Sequence, residues 1–161
     1  MKQTIVLILL LAGVSINLYA QKEAVFCQGK GYRGYLFDSS YLILKSINQQ
    51  HDRTTLCCDE IKTAEHILKK KLATLNTKRV NQTNDCPNIC KNLSKYFRQY
   101  FGFINSKGEK IIWVNLFWDK ESIDEAKRAL IMVNDGCSYY WNIEVNITTH
   151  SLSNLQINGT G

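Results

Sequence analysis

Two hydrophobic periods run along this chain. Residues 59–76 carry the helical one: Ile61, Ala64, Leu68, Leu72 and Leu75 recur at three- and four-residue steps, with Ile67 beside them. Lys62, Glu65, Lys69 and Lys70 fall on the other faces. Asp59 and Glu60 open the segment and lysines come late in it, as the helix dipole favours. The spacing predicts one amphipathic helix with a single stripe to bury.

From Tyr96 the period becomes two. Phe97, Phe101 and Phe103 alternate with Tyr96, Arg98, Tyr100 and Gly102. Residues 105–108 read as a turn, with Gly108 free to take positive φ. The chain returns over 110–118, with Ile112, Val114, Leu116 and Trp118 on one side and Ile111, Trp113, Asn115 and Phe117 on the other. A charged connection over 119–127 leads to a third strand at 129–134, and Asp135-Gly136 is a hairpin signal. Residues 138–148 alternate most cleanly: Tyr139, Trp141, Ile143, Val145 and Ile147 point one way, Tyr140, Asn142, Glu144 and Asn146 the other. Residues 152–158 close the sheet. Before the helix, residues 21–56 hold no sustained period; three glycines in QGKGYRG and a short apolar run at 41–44 leave that segment poorly defined. The pattern therefore predicts an α+β domain over 57–161, with one main helix packed on a four- or five-stranded antiparallel meander sheet.

The first twenty residues change the setting. A basic opening, the apolar run TIVLILLLAG and the junction Tyr19-Ala20-Gln21 have the form of a secretory signal peptide over 1–20. The apolar run is too short to span a bilayer, which takes about 20 residues. The expected address is periplasmic or secreted, with no transmembrane span after cleavage. In that compartment the six cysteines, Cys27, Cys57, Cys58, Cys86, Cys90 and Cys137, permit disulfides; six allow about 15 connectivities, and spacing does not select among them. Adjacent Cys57 and Cys58 are expected to face different partners, and a Cys86–Cys90 bridge would need a distorted turn.

Charge adds little specificity. The formal net charge is +6, and +5 once Lys2 leaves with the leader. Such a balance favours acidic glycans, anionic headgroups or nucleic acid, and equally serves solubility. Nucleic acid is disfavoured, because neither zinc-finger spacing nor an aromatic-basic RNA motif occurs. The Lys69–Lys71 run reads as an anion-docking surface or as a solvated face.

Catalytic chemistry finds no foothold in the pattern. There is no Gly-x-Ser-x-Gly elbow and no phosphate-loop spacing. The histidines are His51, His66 and His150, of which only His66 sits on a predicted element. Cysteine pairs at zinc spacing are lacking and no paired carboxylates stand out, so no metal or cofactor is expected. One constellation remains. The sheet face opposite the helix is expected to carry Tyr96, Arg98, Tyr100, Ile111, Trp113, Asn115, Tyr140, Asn142 and Glu144. Aromatic and polar groups mixed in this way suit contact with a ligand or partner, with Tyr96, Arg98, Tyr100, Trp113, Tyr140, Asn142 and Glu144 as the candidate binding set. A half-exposed antiparallel face carries similar residues for β-propensity alone, and residues 21–56 are a third candidate to cover it.

Residues 98–118 (RQYFGFINSKGEKIIWVNLFW) and 135–161 (DGCSYYWNIEVNITTHSLSNLQINGTG) resemble a set of small secreted Bacteroidetes proteins of unknown function. Members of that set usually carry Asp-Gly-Gly where this chain has Asp135-Gly136-Cys137, and the resemblance implies no activity. The helix-then-meander order is also similar to cystatin-like and PepSY-like folds, an analogy of fold only. The cystatin Gln-x-Val-x-Gly tip is absent: Gln99-Tyr100-Phe101-Gly102 lies mid-strand. The functional expectation is a non-catalytic secreted or periplasmic binding module whose partner is an envelope protein or glycan. The alternative is a small secreted hydrolase using His66 or a carboxylate.

Overall fold

The computed structural model describes residues 23–43, 52–82 and 85–160. The expected signal peptide and His51 lie outside these residues. One helix, α1 (Cys58–Leu75), packs on a seven-stranded sheet built from β1 (Val25–Gly29), β2 (Tyr32–Phe37), β3 (Arg53–Thr54), β4 (Phe97–Ile104), β5 (Lys110–Phe117), β6 (Tyr140–Asn146) and β7 (Ser151–Ile157). The order is β1-β2-β4-β5-β6-β7, with β3 beside β4. The expected antiparallel meander is present as β4 to β7. The sheet is nevertheless larger and mixed, because the β1–β2 hairpin joins β4 in parallel, with Gly34 beside Arg98 and Phe37 beside Phe101. The segment without a period is thus part of the sheet. Its strands are short, and Gly34 serves the backbone approach to β4: a Cβ there would sit 2.3 Å from the Arg98 carbonyl oxygen.

The helix buries Ile61, Ala64, Ile67, Leu68 and Leu72, as its period predicts, while Leu75 is exposed. It also buries Glu65, which the period assigns to another face. Helix α1 touches β1 at one edge of the sheet and β6 and β7 at the other. A Cys27–Cys58 disulfide ties its first turn to β1. The Glu60 carboxylate accepts hydrogen bonds from the Cys57 N–H at 2.9 Å and from Lys110 Nζ at 2.6 Å, which fixes that turn over the start of β5.

Both faces of the central strands β4 and β5 are buried, while the edge strands β1 and β7 are largely exposed. Beneath α1 lie Tyr100, Ile112, Val114, Leu116, Trp141, Ile143 and Val145. On the far side Phe37, Phe101, Phe103, Ile111 and Trp113 are covered by Tyr41, Ile43 and Leu130, and Phe97 and Phe117 by Ala126 and Ile131. Residues 129–134, expected as a strand, form no ladder. Gln99 Nε2 donates to the carbonyls of Ala126 and Ala129, and Gln99 Oε1 accepts from the Ile131 N–H. Asn115 Nδ2 donates to the Ile131 carbonyl. Two buried amides therefore satisfy this backbone in place of a neighbouring strand, and an apolar run used as an extended cover has the composition of a strand. Asp135-Gly136 makes no hairpin either. Gly136, at φ +90°, leads into a single helical turn at Cys137–Tyr139, where a second disulfide joins Cys137 to Cys86. Cys137 itself has φ +42°, a conformation that favours glycine.

Candidate functional site

The seven residues expected on one open face are divided between two. Tyr96, Arg98 and Tyr100 are fully buried beneath α1. Trp113, Tyr140, Asn142 and Glu144 lie on the opposite side. The cause is the β4–β5 connection. Ile104 pairs with Lys110, so the loop holds five residues and Phe101 stands across from Trp113. A turn over 105–108 alone would have set Tyr100 there instead, and a one-residue change of register exchanges every side chain between faces. Nor is the second face open. Trp113 is 5% exposed, with its indole N–H bonded to Asn142 Oδ1 at 3.1 Å. Tyr140 packs beside Phe117, and Glu144 accepts from Asn154 at 2.8 Å. Arg53 staples the cover down by donating to the carbonyls of Gly102, Tyr41 and Asp38 while lying 5.5 Å from the Phe101 ring centre.

A different concavity is open. A cleft of about 780 Å³ lies between the β1–β2 turn at residues 28–32, the outer stripe of α1 and residues 90–94. That size suits a small organic ligand or a short oligomer. The stripe is Lys62, Glu65, His66, Lys69 and Ala73, spaced so that one helix surface carries them all. The turn is possible because Gly31 takes φ +87°.

Arg98 holds the three walls together. Its Nε donates to Glu65 Oε1 at 3.1 Å, on the helix. Its Nη2 donates to Leu93 O at 2.9 Å and Gly31 O at 3.3 Å, on the other two walls, and Nη1 donates to Tyr96 O. A guanidinium has five donors in a fixed fork, and here all three of its nitrogens are engaged by the protein while the side chain is 0% exposed. Arg98 therefore braces the cleft and offers nothing to a ligand. Glu65 is consumed as well, since it also accepts the Tyr100 hydroxyl at 2.9 Å. Burial, followed by the Glu65 charge, pushes the Tyr100 phenol well above its ordinary pKa of 10.0. Tyr32, at the mouth, is raised by burial and then by the charges of Glu65 and Asp59. Both hydroxyls stay protonated donors.

Around the rim stand Lys30, Lys62, Lys69 and Lys91. Among the described residues none of these four ammonium groups lies in an ion pair. His66 and the free thiol of Cys90 line the same cleft. The thiol accepts from Asn76 Nδ2 at 3.4 Å, and no hydrogen bond joins it to the imidazole. His150 lies apart, in the β6–β7 turn, where its carbonyl accepts from Lys71 Nζ. Among the described residues no group of three His, Cys, Asp or Glu side chains is gathered to hold a metal, and no helix is long and apolar enough to cross a membrane.

Sequence reasoning caught one wall of this site. Lys62, His66 and Lys69 are legible as a polar helix stripe, but the other two walls come from stretches without a period. No known protein family, curated protein or solved structure matches the chain.

Proposed function

We propose that this protein is an exported, non-catalytic binding module and that its ligand, a glycan or another envelope molecule, seats in the cleft beside α1. The observation that carries the reading is the bracing by Arg98. One buried guanidinium fixes a helix, a hairpin turn and a loop around a standing concavity, at the cost of burying a charge. A pre-formed pocket of this kind lowers the ordering cost of binding. The Cys27–Cys58 and Cys86–Cys137 disulfides support export.

The test is amide and side-chain NMR of the ¹⁵N-labelled mature protein against a library of oligosaccharides and metabolites. A true ligand shifts the signals of residues 28–32, 62–69 and 90–94 together and leaves the Trp113 indole unmoved. Shifts centred on Trp113 and Tyr140 would return the site to the far face. Turnover of an ester, peptide or glycoside that disappears in His66→Ala would establish the hydrolase reading instead.

A further inference from the structure

We infer that the cleft takes an acidic oligosaccharide, one bearing carboxylate or sulfate groups on more than one sugar unit. This rests on the cleft being the binding site and adds the chemistry of its ligand.

The charges are arranged for a ligand with several anions. Lys62 and Lys69 are seven residues apart on α1, two turns, so their backbones stand about 10 Å apart along one side of the helix. Lys30 and Lys91 approach from the other two walls. A single small oxyanion would reach one or two of these groups, whereas an extended one reaches both ends. Lysine is a mobile point charge, without the planar fork that fixes a single phosphate or carboxylate by two bonds. Arg98, behind the cleft wall, is fully buried and bonded from within. Among the described residues the one carboxylate lining the cleft is Glu65, which is neutralised by Arg98 and hydrogen-bonded by Tyr100, so it presents little repulsion to an anion.

Between the charges the surface suits a sugar. Tyr32, Leu72 and Leu93 line it together with Gly29, Gly31 and Ser94. That mixture offers apolar patches to C–H faces and short hydrogen-bonding groups to hydroxyls. Single-stranded nucleic acid, the other common extended anion, is held by successive aromatic platforms under its bases. Among the described residues, Tyr32 is the one Phe, Tyr or Trp that lines the cleft, with the smaller His66 ring on the helix wall.

The experiment compares four probes by calorimetry and ¹⁵N NMR: a heparin-derived tetrasaccharide, tetragalacturonate, maltotetraose and an eight-residue oligothymidylate. The expected result is that one or both acidic tetrasaccharides bind and shift the cleft amides. Affinity should fall about 20- to 50-fold between 50 and 200 mM salt, as three or four ion contacts require on polyelectrolyte reasoning. Lys62→Glu/Lys69→Glu should weaken binding at least about tenfold. A control of equal charge change, Lys78→Glu/Lys120→Glu, lies outside the cleft and should change it less than about twofold. Both pairs are exposed and unpaired, so circular dichroism should show an intact fold. Equal weakening by the two pairs would overturn the inference by reducing it to general basicity. Maltotetraose binding as tightly as the acidic probes would overturn it while leaving the cleft a binding site. Binding of oligothymidylate alone would overturn it in favour of nucleic acid. Silence from all four probes would overturn it too, and the library screen above then decides the broader reading separately.

Discussion

Replacing Glu65 by leucine tests the bracing of the cleft directly. Arg98 is 0% exposed and would keep its charge in the interior. Breaking a buried pair by removing one partner costs roughly 3–5 kcal/mol. Arg98 retains the carbonyls of Tyr96, Leu93 and Gly31, which places the loss at the low end. The Tyr100 hydroxyl also loses its acceptor. We expect about 3 kcal/mol in urea unfolding followed by tryptophan fluorescence, with disulfides intact, and a melting temperature lower by about 10 °C. Arg98→Leu should cost at least as much, since it strands Glu65 and three carbonyl groups. The decisive measurement is the double variant Glu65→Leu/Arg98→Leu. With both charges gone it should lose about 2 kcal/mol less than the sum of the singles. Hydrogen exchange should rise in residues 28–32 and 90–94 of every variant lacking Arg98. Additivity within about 0.5 kcal/mol, or a Glu65→Leu cost below about 1 kcal/mol, would refute the reasoning.

Three further outcomes follow from the same geometry. Burial raises the phenols of Tyr96 and Tyr100 above the ordinary 10.0, so the unfolded chain ionises first; stability should hold below pH 10 and then fall by about 1.4 kcal/mol per pH unit for Tyr100, with tyrosinate absorbance lagging until unfolding. Thiol titration of the denatured, unreduced protein should count two free thiols, Cys57 and Cys90, and Cys27→Ser/Cys58→Ser should lose about 4 kcal/mol because its bridge closes a 31-residue separation; a count of zero would contradict the pairing. Gln99→Leu, which strands two carbonyls and an amide, should cost about 2–3 kcal/mol and raise hydrogen exchange across residues 119–134 while leaving ligand affinity at the cleft unchanged.

What could be read from the sequence was whatever repeated. Helix α1 and strands β4 to β7 announce themselves because one face of each alternates cleanly. The β1–β2 hairpin does not, since its strands are five and six residues long and β2 is interrupted by Gly34, which lets it approach β4. The assignment of residues to faces failed for a narrower reason. Strand β4 is buried on both sides, so Phe97, Phe101 and Phe103 and Tyr96, Arg98 and Tyr100 serve equally well as a core set. One loop residue, Glu109, decides which set meets α1. Glu65 misled through its charge: a carboxylate on a helix implies solvent until its arginine is found 33 residues later in the sequence. The cleft was invisible for a related cause, since it joins a stripe to two irregular segments and periodicity describes neither the segments nor their meeting.

The parallel joint between β2 and β4 sets the order in which these parts can assemble. Strands β4 to β7 are sequential neighbours; residues 105–109 and 147–150 make short turns, and the longest connection between them, 118–139, is still far shorter than the span from β2 to β4. Gly31 and Arg98, by contrast, must find each other across 67 residues, after α1 has been laid down between them. Closing so long a segment is slow relative to hairpin formation, because its entropy is spent before any contact is gained. The walls of the cleft come from both sides of that joint. A chain arrested with its meander complete would possess most of its sheet and no cleft, so the closed cleft marks completed folding in a way that secondary structure alone does not.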